Sequence, residues 1–194
     1  MLRSTLVLLA ALAAPALAQS TSTWEIDPAH SSIQFGVRHL MISTVKGTFP
    51  KFTATVVGDE KDPTSTVIEA SIDAASIDTK ESKRDEHLRG ADFFDVAKYP
   101  TITFKSTKVE QAGGRRFKVH GDLTMHGVTK PVTLDVEATP EVKGMRGETR
   151  AGARATTKVN RKDFGINWSK TMDGGGLVVG DDVDVTIDVE GVKK

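Results

Sequence analysis

The closing stretch of this chain alternates with a period of two: Val183, Val185, Ile187 and Val189 interleave with Asp184, Thr186, Asp188 and Glu190. That period sends one set of side chains to each face of an extended strand, here one apolar and one polar. Ile33, Phe35 and Val37 alternate with Gln34, Gly36 and Arg38, and Phe52, Ala54 and Val56 with Thr53 and Thr55. Ile68, Ala70 and Ile72 alternate with Glu69, Ser71 and Asp73; Ile102 and Phe104, then Phe117, Val119, Gly121 and Leu123, then Val132, Leu134, Val136 and Ala138 continue the pattern. Alternation with β-branched residues predicts half-buried antiparallel strands. Turn signals fall between the runs at Gly58-Asp59, Asp62-Pro63, Gly113-Gly114, His126-Gly127 and Gly180-Asp181. Short turns at this spacing predict a single all-β domain, a barrel or a sandwich. Alternation assigns faces without saying which face points inward.

Two stretches depart from this rule. Arg146–Lys158 alternates with small residues (Gly147, Thr149, Ala151, Ala153, Ala155), as expected where a barrel wall faces something bulky or bends sharply. Ser82–Arg89 holds good helix formers, opens with Ser82 and Asp85 in capping-box spacing and stops at Gly90, which predicts one short helix near residues 81–90. Its apolar content is Leu88, followed by Phe93 and Phe94, so it reads as a surface helix anchored across one end of the fold.

Residues 1–18 read as a cleavable export signal: Arg3 near the start, an apolar run over Leu6–Ala14, and Ala16-Leu17-Ala18 before a mature start at Gln19. The run is about half the length of a spanning helix, which argues against a permanent membrane anchor. Residues 19–194 then form the one domain. Lys+Arg and Asp+Glu stand at 26 each, so the chain has no electrostatic footprint for nucleic acid. With no cysteine, an exported protein must be held by its core, and thiolate nucleophiles and thiolate metal sites are excluded.

Motifs for covalent chemistry are sparse. His30, His39, His87, His120 and His126 have no metal-ligand spacing, and no metal site is expected. Asp27, His30 and Ser31 hold the residue types of a hydrolytic triad but are near neighbours in a turn. Gly174-Gly175-Gly176 lacks the rest of a phosphate loop, and Asp182, Asp184 and Asp188 read as the solvent face of a strand, not a calcium loop. Arg84, Asp85 and His87 on the short helix and Arg161-Lys162-Asp163 are polar concentrations; one expectation pairs them across a barrel end, with Arg84 and Asp163 as partners, and the other leaves them as separate surface ion pairs.

Five segments in order carry a family resemblance. They are Trp24–Ser31 with Phe35–His39; Val45–Phe49 with Phe52; Arg84–Leu88 with Asp92–Asp95 and Tyr99–Phe104; Gly121–Thr129; and Arg161–Ile166. Together they resemble the YceI-like family over about residues 24–190. The resemblance implies an eight-stranded, lipocalin-like antiparallel barrel, with a polyisoprenoid chain inside as ligand and no cofactor. Members occur in periplasms and cytoplasms, and the export signal favours the periplasm here. Family members are often homodimers, on which the sequence itself is neutral.

On that fold, the expected apolar lining is Phe35, Val37, Phe49, Phe52, Phe94, Phe104, Phe117, Leu123 and Trp168, each of which also fits ordinary core. Arg38 and His39 follow the first clear strand and are candidates for head-group contact at a barrel mouth, or else surface residues. Three functions remain open: a carrier for an isoprenoid-type lipid such as a polyisoprenoid or a quinone; a filled barrel serving a protein partner as a stress or electron-transfer accessory; and an enzyme acting on such a lipid through Asp27, His30 and Ser31 or His39. The first requires an apolar tunnel, the second a filled interior, and the third ionisable groups converging inside.

Overall fold

The computed structural model describes residues 21–59, 61–171 and 177–194; the proposed export signal, the mature start at Gln19 and Gly174–Gly176 lie outside these. The strands are β1 (Thr21–Ile26), β2 (Ser32–His39), β3 (Ser43–Thr48), β4 (Phe52–Asp59), β5 (Asp62–Asp73), β6 (Thr101–Gln111), β7 (Arg116–Met125), β8 (Val128–Ala138), β9 (Val142–Lys143), β10 (Thr149–Asn160) and β11 (Val179–Lys193). One helix, α1 (Ser82–Arg89), interrupts the series.

Register reduces these segments to a ring of eight. β1 and β2 run beside the same neighbour, β11, and are one strand broken at a 3-10 turn over Pro28–His30. β3 and β4 are likewise one strand broken at Phe49–Lys51, and the two broken strands form one long hairpin. From there β5, β6, β7, β8 and β10 follow by antiparallel pairing. The ladder between β10 and β11, from Arg150↔Val192 to Asn160↔Asp182, closes the barrel. β9 is a two-residue appendage on β10. Closure satisfies the backbone of both edges that an open sheet would leave exposed.

Connections differ sharply between the two ends. At one end they are the short β4–β5 and β6–β7 hairpins and the connection of residues 139–148 that carries β9, with the first and last described residues nearby. At the other end, residues 74–100 and 161–178 are long connections. The first of these folds back as a plug. Ala74 and Ile77 from it are fully buried against Ile33, Phe49 and Ile102, with Leu88, Phe94 and Val96 packed on the same cluster.

The helix begins one residue earlier than its capping-box spacing suggests. Glu81 is the N-cap, its carboxylate accepting from the Lys83 and Arg84 amides, and Ser82 is already helical. Asp85 is thereby left free of capping and turns inward, where it is buried and accepts from both the amide (2.9 Å) and the hydroxyl of Thr79. Arg84 completes the knot, donating to the Thr79 hydroxyl and carbonyl at 2.7 and 2.8 Å. Gly180-Asp181 is no turn either; both residues lie within β11, at a bulge between Val179 and Val183.

The plug depends on Asp85. Asp85→Ala leaves the Thr79 amide buried without an acceptor and is expected to cost about 2–3 kcal/mol. Urea unfolding of the two proteins, compared at equal m-value, measures it.

Candidate functional site

Inside the ring is a cavity of about 570 Å³. The period-two residues of nearly every strand face it: Val132, Leu134 and Val136 from β8, and Val183, Val185, Ile187 and Val189 from β11. β10 contributes Ala151, Ala153 and Ala155, so its small residues do stand where the wall borders a space. Phe35, Val37, Phe49, Phe52, Phe94, Phe104, Phe117 and Leu123 all line it as well.

Bulky rings line a cavity without filling it only if something receives them. Glycines on adjacent strands do so here. Phe35 and Gly47 are register partners, and a Cβ on Gly47 would lie 2.3 Å from Phe35 Cζ. A Cβ on Gly121 would lie 2.4 Å from Phe104 Cζ and 2.6 Å from the Lys105 carbonyl. The rings therefore lie along the wall over a bare backbone instead of projecting to the barrel axis. Phe49 sits between Phe35 (5.6 Å between centroids) and Phe94 (5.7 Å, edge-on) and floors the cavity at the plugged end.

The opposite end is the mouth. Lining residues near the plug, such as Ile33, Ile77 and Ile166, are buried, whereas Pro63, Thr139 and Glu141 at the short-hairpin end are exposed although they line the same space. Arg38 and His39 belong to the plugged end, which corrects their candidacy as contacts at this mouth. Arg38 is exposed and donates to Thr44 Oγ1 and the Met41 carbonyl across the β2–β3 hairpin. His39 shares the face of Phe35 and Val37 but is the last pair of its ladder, opposite Val179, and does not border the cavity.

Trp168 is also corrected: it lies outside the lining, half-buried, against His87 (5.3 Å) and Phe93 (5.2 Å). That contact replaces the expected charge pairing of the helix with residues 161–163. Among the described residues no ion pair joins Arg84 to Asp163; the helix is clasped by rings. Arg161, buried at the plugged end, donates to the carbonyls of Gly180, Ile166 and Trp168 and to Asp181, so it fastens the Trp168 segment to β11. Burial pushes its pKa down, and Asp181 opposes that.

Asp27, His30 and Ser31 stand at the break between β1 and β2 and do not line the cavity. His30 Nδ1 lies 2.9 Å from Asp27 Oδ2, but Ser31 is turned to β11, where its hydroxyl accepts from the Glu190 amide at 2.9 Å. A broken strand leaves its neighbour's amides without ladder partners, and Ser31 supplies one. Arg150 binds Asp27 Oδ2 (3.0 Å), Glu190 and Glu148 together. Asp27, His30 and Glu190 come within 4.8 Å of one another, close enough to chelate, yet the Arg150 guanidinium already holds both carboxylates. The cluster is a stitch across the break, legible in sequence only as a turn. Among the described residues no helix is long and apolar enough to cross a membrane.

Fold and site define a closed antiparallel barrel plugged at one end and enclosing an apolar pocket. The chain belongs to the YceI-like family: residues 24–191 match the model of the YceI-like domain. It is 41% identical over 165 residues to Protein YceI of Escherichia coli O157:H7, covering 85% of this chain and 83% of that one. It is 38% identical over 188 residues to a UPF0312 protein of Vibrio cholerae, covering 96% and 95%. The crystal structure of Burkholderia cenocepacia BcnA superposes with a TM-score of 0.75 at 25% identity, covering 85% of this chain and 98% of that one. A polyisoprenoid binding domain from Saccharophagus degradans shares the fold, with a TM-score of 0.64 at 15% identity over 88% and 98% of the two chains.

The stitch should respond to acid. The hydrogen bond from His30, then that from Arg150, lowers the Asp27 pKa from 3.8 to about 2. A carboxyl whose folded pKa is depressed stabilises the fold above its unfolded pKa, and that contribution disappears as pH falls through the folded one. Thermal melts of the wild type should therefore drop between pH 3.8 and about 2 more steeply than those of Asp27→Asn.

Proposed function

We propose that this protein is a periplasmic carrier that holds the chain of an isoprenoid-type lipid inside the barrel and performs no covalent chemistry. The observation that carries this reading is the apolar cavity kept open by Phe35 over Gly47, Phe104 over Gly121 and the alanines of β10. A core seeking only stability would be filled, because each missing contact costs dispersion and burial energy. Burial of an apolar chain returns that energy at about 0.8 kcal/mol per CH₂ before chain entropy is subtracted. The Saccharophagus degradans domain of the same fold is a polyisoprenoid binding domain, which agrees with this ligand class.

The two other functions fit less well. A filled barrel serving a protein partner is opposed by the cavity. An enzyme built on Asp27, His30 and Ser31 is opposed by their position away from the cavity and by the commitment of Ser31 to the Glu190 backbone.

Residues 19–194 purified from the native periplasm and extracted with organic solvent should yield a stoichiometric isoprenoid by mass spectrometry. A blank extract, repeated after exposure to a lipid mixture, would overturn the reading. Ala153→Phe, placed across the β10 wall, should weaken lipid binding by about tenfold or more while leaving the melting temperature nearly unchanged, since it fills space rather than overpacking a core.

A further inference from the structure

An apolar side chain exposed singly means little, since every protein surface keeps some. Val142, 57% exposed, and Met145, fully exposed, instead share one short segment, the connection of residues 139–148 at the mouth. That segment is a hairpin. Gly144 donates its amide to the Glu148 carbonyl at 2.8 Å, and Gly147 donates to the Gly144 carbonyl at 3.0 Å. Met145 and Arg146 are thus the corners of a four-residue turn, which Gly147 closes in the left-handed region at φ 84. Such a turn is made by small polar residues and glycine, so its geometry does not ask for methionine. Met145 therefore needs a reason outside the fold.

The uncommitted charges around this tip are positive. Lys143 and Arg146 flank Met145, and all three are exposed. Arg115 stands beside the segment on the rim, its carbonyl accepting from the Ala138 amide at 2.9 Å. The Lys143 ammonium donates to Thr149 Oγ1, and among the described residues none of these three cationic side chains meets a carboxylate. The acids nearby have other uses. The Glu148 carboxylate accepts from Arg150 and from the Arg146 amide, Glu141 lies 4.0 Å from Lys193, and Glu137 stands opposite Arg116 on the β7–β8 ladder. Thr139 and Glu141 of the same segment border the cavity, so the hairpin belongs to the rim of the opening.

We infer that the 139–148 hairpin is a docking tip that sets the mouth of the barrel against an anionic lipid bilayer. This rests on the carrier reading above and gives that carrier a route of loading. An isoprenoid chain crossing free water would lose the burial energy that bilayer and cavity both supply; a mouth held on the bilayer spares it that exposure. Met145 and Val142 would enter the boundary between head groups and acyl chains, with Lys143, Arg146 and Arg115 on the phosphates. Methionine, unbranched and flexible, suits an irregular lipid surface. Each cation beside an anionic surface is worth about fivefold in partition. Three of them with two apolar side chains give an attachment that forms and releases, as a shuttle requires. The β2–β3 tip also exposes Met41 and Ile42, but it lies at the plugged end, where docking would not present the opening.

The test is flotation of residues 19–194 with vesicles of phosphatidylcholine, alone or mixed equally with phosphatidylglycerol, at about 0.1 M salt. The protein should bind the anionic vesicles about tenfold or more tightly than the neutral ones. Lys143→Gln combined with Arg146→Gln should remove most of that difference, and Met145→Ser should weaken anionic-vesicle binding by about tenfold. Melting temperatures should stay at the wild-type value, since all three side chains are exposed. Met41→Ser combined with Ile42→Ser should leave binding unchanged. No binding to anionic vesicles, equal binding to both compositions, or loss of binding in the Met41/Ile42 variant in place of the Met145 variant would overturn the inference. The carrier reading survives each of these results, because flotation reads the rim and solvent extraction reads the interior.

Discussion

Everything in this molecule follows from one ladder, the pairing of β10 with β11 that closes the sheet. Before closure the alternating strands have two faces and no inside. After closure one face of every strand is committed to a common space, and its content becomes a single packing problem shared by eight strands. An open sheet of this composition would have to bury its apolar face on another layer. The ring buries it on itself, which frees both long connections to act at one end.

That asymmetry of the ends gives the cavity a direction. At the plugged end, burial and hydrogen bonding coincide: Asp85 on Thr79, Arg84 on Thr79, and Arg161 on three carbonyls and Asp181 fix irregular backbone that could not otherwise be buried. At the open end, short hairpins leave the interior accessible. The broken hairpin of β1–β4 joins the two regimes, and its break is sewn by Ser31 and Arg150 to the closing strands. The features of the sequence that resemble catalytic motifs are thus spent on holding the barrel shut.

Much of this can be read from residue order. The strands, the helix at 82–89, its anchoring by Leu88, Phe93 and Phe94, and most of the aromatic lining follow from period two and from turn residues. Trp168 lies beyond that reach: it is large and apolar but sits in the connection between β10 and β11, outside any alternation, so nothing in sequence fixes its side. Arg38 and His39 do end a strand, yet sequence does not say which end of the barrel is open. That is decided by the folding back of residues 74–100.

The sequence by itself determined a cysteine-free all-β chain with one short helix and an apolar face on every strand, because side-chain period is a local property of the backbone. Tertiary structure decided which face was inside, that the inside stayed open, and where it opens. Those depend on closure and on contacts such as Phe35 with Gly47 and Phe104 with Gly121, where the shape of one strand is set by the residue missing a side chain on the next.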